Sequence, residues 1–148
     1  MKLTDALQGA SFLFLDTAPV IYQVERNPTY FDLVSTIFQE VDAGRIIAAT
    51  SPVTLAECLV LPYRLGATTR MQEFSRLIVS GRNCRFIPID QKVGQRAAEL
   101  RARYNLLLPD ALQVACGIES GCDAFLTNDM ELRRVTELRV LVLDELKR

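Results

Sequence analysis

The sequence predicts an α/β fold, a three-layer α/β/α sandwich with a central, mainly parallel five-stranded sheet. Short apolar runs alternate along the chain with longer segments in which apolar residues recur at helical spacing. The short runs show no alternation of apolar and polar residues, which indicates strands buried on both faces of a parallel sheet. No repeat or flexible linker interrupts the sequence. Residues 1–148 are therefore expected to form a single domain.

Five apolar runs are predicted to be the strands. In chain order they are Ser11–Leu15, Arg45–Ala49, Cys84–Ile87, Ala124–Thr127 and Arg139–Leu143. Their alternation with helices implies right-handed crossovers between parallel strands. Ligands of such sheets bind outside the carboxyl ends of the strands, so the residues that follow these runs are the candidates for chemistry.

Six segments are predicted to be helices: Pro19–Glu25, Tyr30–Ala43, Pro52–Val60, Thr68–Ser80, Gln91–Tyr104 and Pro109–Ser120. Three of them begin with proline, which a first helical turn tolerates. Gly44 and Gly81 follow the second and fourth segments as helix stops. The fifth segment places one apolar stripe toward the sheet, formed by Val93, Ala97, Leu100 and Tyr104. Residues 1–10 precede the first strand and are expected to form a flexible arm.

The overall charge argues against a protein that coats nucleic acid by charge alone. Lys and Arg number 17 and Asp and Glu number 18, which gives a net charge of -1. Between Arg64 and Arg103, however, eight Arg and one Lys stand against three acids. Solvated helix faces explain this block better than a phosphate-binding surface, which would use residues such as Arg64, Arg70 and Arg76.

Several classes of function are excluded by what the chain lacks. The longest uncharged stretch, Ile46–Ala56, is far shorter than the ~18 residues of a membrane-spanning helix, so we expect a cytoplasmic protein. The chain has no His, and its four Cys form no Cys-x-x-Cys pair. A zinc site is therefore not expected, and His-based catalysis is excluded. The thiols are expected to be reduced and mostly buried.

Four acids stand where predicted strands end or where the following helices begin. Asp16 and Asp129 follow the first and fourth runs, Glu57 lies in an otherwise apolar helical segment, and Asp110 follows Pro109. Each has an ordinary explanation when taken alone. Asp16 would cap a helix, Glu57 would be partly exposed, Asp110 would complement the helix dipole, and Asp129 would serve a turn.

Taken together, the four acids predict one cluster at the carboxyl edge of the sheet. Their mutual repulsion in a shared cleft would be costly without a cation. Carboxylates without His or Cys ligands suit a hard divalent cation such as Mg²⁺ or Mn²⁺. The pattern therefore favours metal-assisted phosphoryl transfer.

Four short motifs carry a family resemblance: Phe14-Leu15-Asp16-Thr17, Thr54-Leu55-Ala56-Glu57, Leu108-Pro109-Asp110-Ala111-Leu112 and Phe125-Leu126-Thr127-Asn128-Asp129. In this order and context, the chain resembles the PIN-domain nucleases, in particular the VapC-type toxins of type II toxin–antitoxin systems. The resemblance extends from Phe12 to Leu143.

This resemblance implies a ribonuclease that depends on Mg²⁺ or Mn²⁺. The family's metal-binding and catalytic acids would be Asp16, Glu57, Asp110 and Asp129, with Thr127 as the hydroxyl residue beside the last of them. Hydrolysis of RNA in this family usually leaves a 5′-phosphate and a 3′-hydroxyl. The family also implies a homodimer, and a cognate antitoxin that covers the acidic groove with a basic side chain.

One departure from the family pattern leaves alternatives open. Ala18 stands where many members carry Asn or Ser, so a polar group that often supports the first acid is missing. Together with the overall acidity, this supports a catalytically weak PIN-like module that binds RNA or protein. A phosphotransfer enzyme with Asp16 as its phosphorylated nucleophile is a more distant alternative, because it would normally carry a second acid at the position of Ala18.

Overall fold

A computed structural model describes all 148 residues and contains one parallel five-stranded sheet. The strands are β1 (Phe12–Leu15), β2 (Ile47–Thr50), β3 (Cys84–Phe86), β4 (Ala124–Thr127) and β5 (Arg139–Val142). Their spatial order is β3-β2-β1-β4-β5, and every neighbouring pair is parallel. The predicted fold class is confirmed.

The chain changes direction across the sheet between β1 and β4. From β1 it proceeds outward through β2 to β3, and then returns to place β4 on the other side of β1. Such a switch leaves a crevice at the carboxyl ends of the two central strands. Leu15 pairs with Leu126 in this register, so the residues that follow them, Asp16 and Thr127, emerge side by side.

Helices cover both faces of the sheet. They are α1 (Leu3–Ala6), α2 (Thr17–Val24), α3 (Phe31–Asp42), α4 (Pro52–Leu65), α5 (Thr68–Ser80), α6 (Gln91–Tyr104) and α7 (Leu108–Ser120). Two apolar cores lie on opposite sides of β1, because alternate residues of a strand point to opposite faces. Leu13 and Leu15 belong to the core with α2 to α5, whereas Phe14 belongs to the core with α6 and α7.

All six predicted helices are present, but α1 was not predicted, α2 begins two residues earlier than expected, and α4 is longer. That helix was expected to end at Val60 and instead continues to Leu65. Pro62 lies inside it and is buried, and the helix ends where Gly66 adopts a left-handed conformation with φ of 64°. Glycine adopts this conformation without steric cost, so the stop lies at Gly66 rather than before the proline.

The third strand differs from its prediction. It was expected to be buried on both faces, but Arg85 at its centre is exposed. β3 is an edge strand that pairs only with β2, so one side of it faces away from the rest of the sheet. The Arg85 guanidinium lies over the Phe12 ring, 5.1 Å from its centre, and covers part of the apolar surface of that ring.

The N-terminal segment is packed against the domain, contrary to the flexible arm expected for residues 1–10. Leu3, Ala6 and Ala10 are buried in the core with α2 to α5. The backbone N–H of Leu3 donates to the carbonyl of Lys147 at 2.6 Å, which joins the two ends of the chain. Leu3 and Ala6 lie in a single helical turn and Ala10 follows it, a pattern too short to distinguish from chance in the sequence.

None of the helices combines the length and the apolar character that crossing a membrane requires.

Candidate active site

The four predicted acids lie at the carboxyl edge of the sheet, near the switch between β1 and β4. Asp16 directly follows β1, and Asp129 follows β4 by two residues. Glu57 is in the second turn of α4, which begins just after β2, and Asp110 is in the first turn of α7. The parallel sheet therefore places acids from distant parts of the chain at one edge, as the sequence predicts.

Thr127 links the first and the last of these acids. Its hydroxyl donates to Oδ2 of Asp16 at 2.7 Å and accepts the backbone N–H of Asp129 at 3.0 Å. Thr127 is fully buried and Asp16 is only 8% exposed. Asp16 occupies the N-cap position of α2 but makes no side-chain capping bond. Its carboxylate is thus directed to the crevice, and capping does not account for this residue.

The Asp16 carboxyl is in an unfavourable place for a charge. Burial raises its pKa above the ordinary value, and the negative charge of Glu57 acts in the same direction. The hydrogen bond from Thr127 partly offsets this rise because it stabilises the ionised form. A buried carboxylate of this kind is stabilised further by a bound cation.

Glu57 is exposed on α4, so it is not a buried acid. Its Oε1 accepts a hydrogen bond from the hydroxyl of Thr17 at 2.6 Å. Thr17 is the first residue of α2, immediately after Asp16. The bond therefore fixes the Glu57 side chain beside the entrance of the crevice.

Asp110 shows the strongest electrostatic coupling among the four acids. Partial burial, followed by the charges of Asp16, Asp129 and Glu57, raises its pKa to about 6. Negative charges raise the pKa of a carboxyl in this way only when they lie within about 10 Å of it. The charges of the other three acids therefore act on Asp110.

A family model for the PIN domain matches residues 13–138. The chain belongs to the PIN domain family. Comparison with curated proteins gives no significant match. The family predicted from the four motifs is confirmed.

Solved structures with the same fold support this assignment. The VapBC2 complex from Rickettsia felis, bound to a promoter DNA fragment, contains a chain with a TM-score of 0.72 and 18% identity, over 88% of this PIN domain and 98% of that chain. VapC20 of Mycobacterium tuberculosis, a Sarcin-Ricin loop cleaving toxin, has a TM-score of 0.67 and 16% identity, with coverage of 86% and 98%. A chain of a toxin–antitoxin complex from Klebsiella pneumoniae has a TM-score of 0.63 and 19% identity. The match covers 88% of this chain and 97% of that chain.

The acids of this PIN domain fit a hard divalent cation by their chemistry. Every candidate ligand is a carboxylate oxygen, and the mutual repulsion of the four groups would be relieved by a positive ion. No three acidic or thiol side chains are already gathered into a ligand cluster. Glu57 is engaged by Thr17, and one oxygen of Asp129 accepts the backbone N–H of Glu131 at 2.9 Å. The PIN domain thus supplies the donors without a completed coordination shell.

A second group of polar residues at the site was missed in the sequence. Ser51, Thr54 and Gln113 are fully buried and hydrogen-bonded to one another behind Asp16. Gln113 lies three residues after Asp110 on the inner side of α7. A glutamine in the apolar stretch Ala111–Gly117 was the available signal, because a polar residue on a core-facing stripe needs a partner.

Of the three arginines considered for phosphate binding, Arg70 is engaged within the domain. Arg70 donates to the carbonyl of Val24 at 2.8 Å, which ties α5 to α2. Arg76 lines a cavity of about 560 Å³ between α3 and α5, and Arg64 lies in the last turn of α4. None of the three is hydrogen-bonded to the acids of the site.

Proposed function

We propose that this PIN domain is a divalent-metal-dependent ribonuclease that hydrolyses RNA phosphodiester bonds, and that it acts as the toxin of a toxin–antitoxin pair. The observation that carries the proposal is the position of Asp16, Glu57, Asp110 and Asp129 at the carboxyl edge of the sheet, where the charges of the other three acids act on Asp110. Family membership supports a nuclease role. The fold is shared with toxin chains of VapBC complexes, which supports the toxin assignment.

The acids would hold one or two Mg²⁺ or Mn²⁺ ions, and the bound ions would supply a water of lowered pKa and a positive charge beside the phosphate. Asp16, Asp110 and Asp129 are the first candidates for ligands, because they surround the crevice between β1 and β4. Thr127 orients Asp16 through a hydrogen bond of 2.7 Å. Thr17 orients Glu57, which either completes the ligand set or aligns the attacking water.

RNA is the substrate class we propose. Single-stranded or looped RNA can spread its backbone and bases into an open crevice, whereas a rigid duplex cannot. VapC20, a structural relative, is a toxin that cleaves the Sarcin-Ricin loop. The acidic crevice repels phosphate in the absence of metal, so substrate binding should itself depend on the cation.

The decisive experiment is cleavage of an end-labelled single-stranded RNA by the purified protein with Mn²⁺ or Mg²⁺. Cutting should disappear with EDTA and in Asp16→Asn. Glu99→Gln, which removes an exposed acid on α6, is the matched control and should cut like the wild type. Absence of cutting together with absence of Mn²⁺ binding would reject the enzyme and favour a PIN-like module that only binds RNA or protein.

A cognate antitoxin is the partner we propose for the acidic crevice. Several structures with this fold are toxin–antitoxin complexes. A basic side chain of the partner would satisfy the carboxylates that otherwise repel one another. Inhibition of RNA cleavage by the co-expressed partner, relieved when a basic residue of that partner is removed, would test this assignment.

A homodimer is also proposed, through the second half of α4. Large apolar side chains are exposed there, namely Val60, Leu61, Tyr63 and Leu65, and Tyr63 and Leu65 are 66% and 71% exposed. Exposed apolar clusters of this kind mark interfaces. The apolar segment Tyr30–Phe38, by contrast, is largely turned into the core. Light scattering of the wild type and of Leu61→Asp should distinguish a dimer from a monomer.

A further inference from the structure

A polar cluster is enclosed in the domain directly behind the candidate metal site. Its three members, Ser51, Thr54 and Gln113, are each 0% exposed. They come from the end of β2, the start of α4 and the middle of α7. Gln113 is surrounded on its own helix by the buried apolar residues Ala111, Val114 and Ala115. A glutamine in such a position requires a specific partner for every polar atom.

The hydrogen bonds of the cluster use both ends of the Gln113 amide. Its Oε1 accepts from the hydroxyl of Ser51 at 2.5 Å, and its Nε2 donates to Oγ1 of Thr54 at 2.7 Å. The Thr54 hydroxyl in turn donates to the backbone carbonyl of Leu15 at 3.5 Å. Ser51 also caps α4 by accepting the backbone N–H of Val53 at 3.1 Å. The amide orientation is fixed because the Thr54 hydroxyl already donates to Leu15 and must accept from Gln113.

These bonds join the supports of three of the candidate ligands. Leu15 is the residue before Asp16, α4 carries Glu57, and α7 carries Asp110. Gln113 also lies near enough to Asp16 to oppose, as the smallest of several causes, the rise in the pKa of that carboxyl. A single side chain thus connects the first acid of the site with the two helices that carry the second and the third.

Stability alone does not require a glutamine here. Replacing a buried, hydrogen-bonded polar group together with its partners by apolar groups of similar shape is often nearly neutral for folding. An unbranched apolar side chain such as methionine would fill the same volume. What methionine cannot supply is a pair of donors and an acceptor in fixed directions beside Asp16.

We propose that Gln113 is a positioning residue for the metal site, which holds Asp16 and the start of α4 in place for cation binding. This proposal rests on the proposed metal-dependent function. It also bears on Ala18, which offers no polar support to Asp16: Thr127 donates to the Asp16 carboxylate, and Gln113 holds Thr54, which donates to the backbone just before Asp16. Groups that orient metal ligands in this way typically change metal affinity or activity by 10–100-fold when they are removed.

The test is Mn²⁺ binding by the full chain, measured as free Mn²⁺ by electron paramagnetic resonance, with urea unfolding in EDTA as a parallel measurement. We expect Gln113→Met to weaken Mn²⁺ binding at least about tenfold. The matched control is Val114→Ala, a fully buried residue of the same helix that belongs to the apolar core. That variant should lower stability at least as much as Gln113→Met and leave the Mn²⁺ dissociation constant within about twofold of the wild type.

A second variant keeps the proposal testable if Gln113→Met does not fold. Thr54→Val preserves shape but removes the hydroxyl that receives the Gln113 amide, and it should weaken Mn²⁺ binding several-fold. Equal Mn²⁺ affinity in the wild type and in the folded Gln113→Met or Thr54→Val variant would overturn the positioning role alone. Failure of the wild type to bind Mn²⁺ would instead reject the proposed metal-dependent function, and this inference with it.

Discussion

Thr127 and Asp16 are 111 residues apart in the chain and are joined by a hydrogen bond of 2.7 Å. The sheet register produces this contact, since Leu15 and Leu126 are paired and the backbone N–H of Asp16 donates to the carbonyl of Leu126 at 2.9 Å. The same hydroxyl receives the backbone N–H of Asp129. One side chain therefore sets the position of the first acid relative to the last.

Thr127→Val is expected to reduce Mn²⁺-dependent RNA cleavage by about 10–100-fold. Valine has the shape of threonine but leaves Asp16 without its donor and the N–H of Asp129 without its acceptor. Thr127→Ser keeps the hydroxyl and should retain most of the activity. Initial rates of cleavage with a labelled RNA measure the effect. A valine variant as active as the serine variant would show that the hydroxyl is dispensable.

Asp110→Asn should change the pH dependence of stability in the metal-free protein. The pKa of Asp110 is raised to about 6 in the fold, mainly by burial and by Asp16, whereas an unfolded chain has the ordinary value near 4. Ionisation of this group therefore costs stability: the cost is absent below about pH 4, grows as the pH rises and is complete above about pH 6. Asparagine removes it.

The measurement is urea unfolding in EDTA at pH 4 and pH 8, with Glu99→Gln as the control for the loss of one negative charge. The difference in free energy of unfolding between Asp110→Asn and the wild type should increase by about 1 kcal/mol from pH 4 to pH 8. This is less than the full pKa shift of Asp110 would give, because the group is only half-buried. A change of zero or of the opposite sign would show that the pKa of Asp110 is not raised in the fold.

Leu3→Ala is expected to lower the free energy of unfolding by about 2–3 kcal/mol. Leu3 is 4% exposed and packs in the core with α2 to α5, so its loss leaves a cavity. Leu107→Ala, at a leucine that is 71% exposed, should cost far less and serves as the control. Equal stability of Leu3→Ala and the wild type in urea unfolding would mean that the N-terminal segment is detached.

The cysteines should react slowly with a thiol reagent in the native protein. Burial raises the pKa of Cys58 to about 12 and the pKa values of Cys116 and Cys122 to about 11, so almost no thiolate is present at neutral pH. All four Cys are free thiols. Ala102→Cys would place a thiol on the exposed side of α6 as a fast-reacting reference. Absorbance with Ellman's reagent should show one rapid equivalent in that variant and none in the wild type.

The sequence predicted the fold and the edge of the sheet where the acids lie because both depend on patterns that local physics imposes. The strands around Leu13, Ala48 and Leu126 are buried on both faces. Their continuous apolar sequences are typical of central strands in a parallel sheet. Asp16 and Asp129 follow such strands, so their placement at one edge is a consequence of the topology. That these acids bind metal stays a prediction.

Other features depend on contacts between distant residues and could not be read from local pattern. The hydrogen-bond partners of Gln113 are Ser51 and Thr54, which lie about sixty residues earlier in the chain. The docking of the N-terminal segment depends on a bond between Leu3 and Lys147. The exposed half of β3 follows from its place at the sheet edge, which strand order decides. Each of these features is determined by contacts with distant parts of the chain and not by the local sequence.

The insertion of β4 beside β1 has a consequence for the order of events during translation. An N-terminal portion that ends before β4 already contains Asp16, Glu57 and Asp110, but it lacks both Thr127 and Asp129. Because domains gain structure as they emerge from the ribosome, β1 has no neighbour on that side until the penultimate strand is made. A growing polypeptide therefore cannot assemble the complete acidic crevice before β4 and Asp129 have emerged.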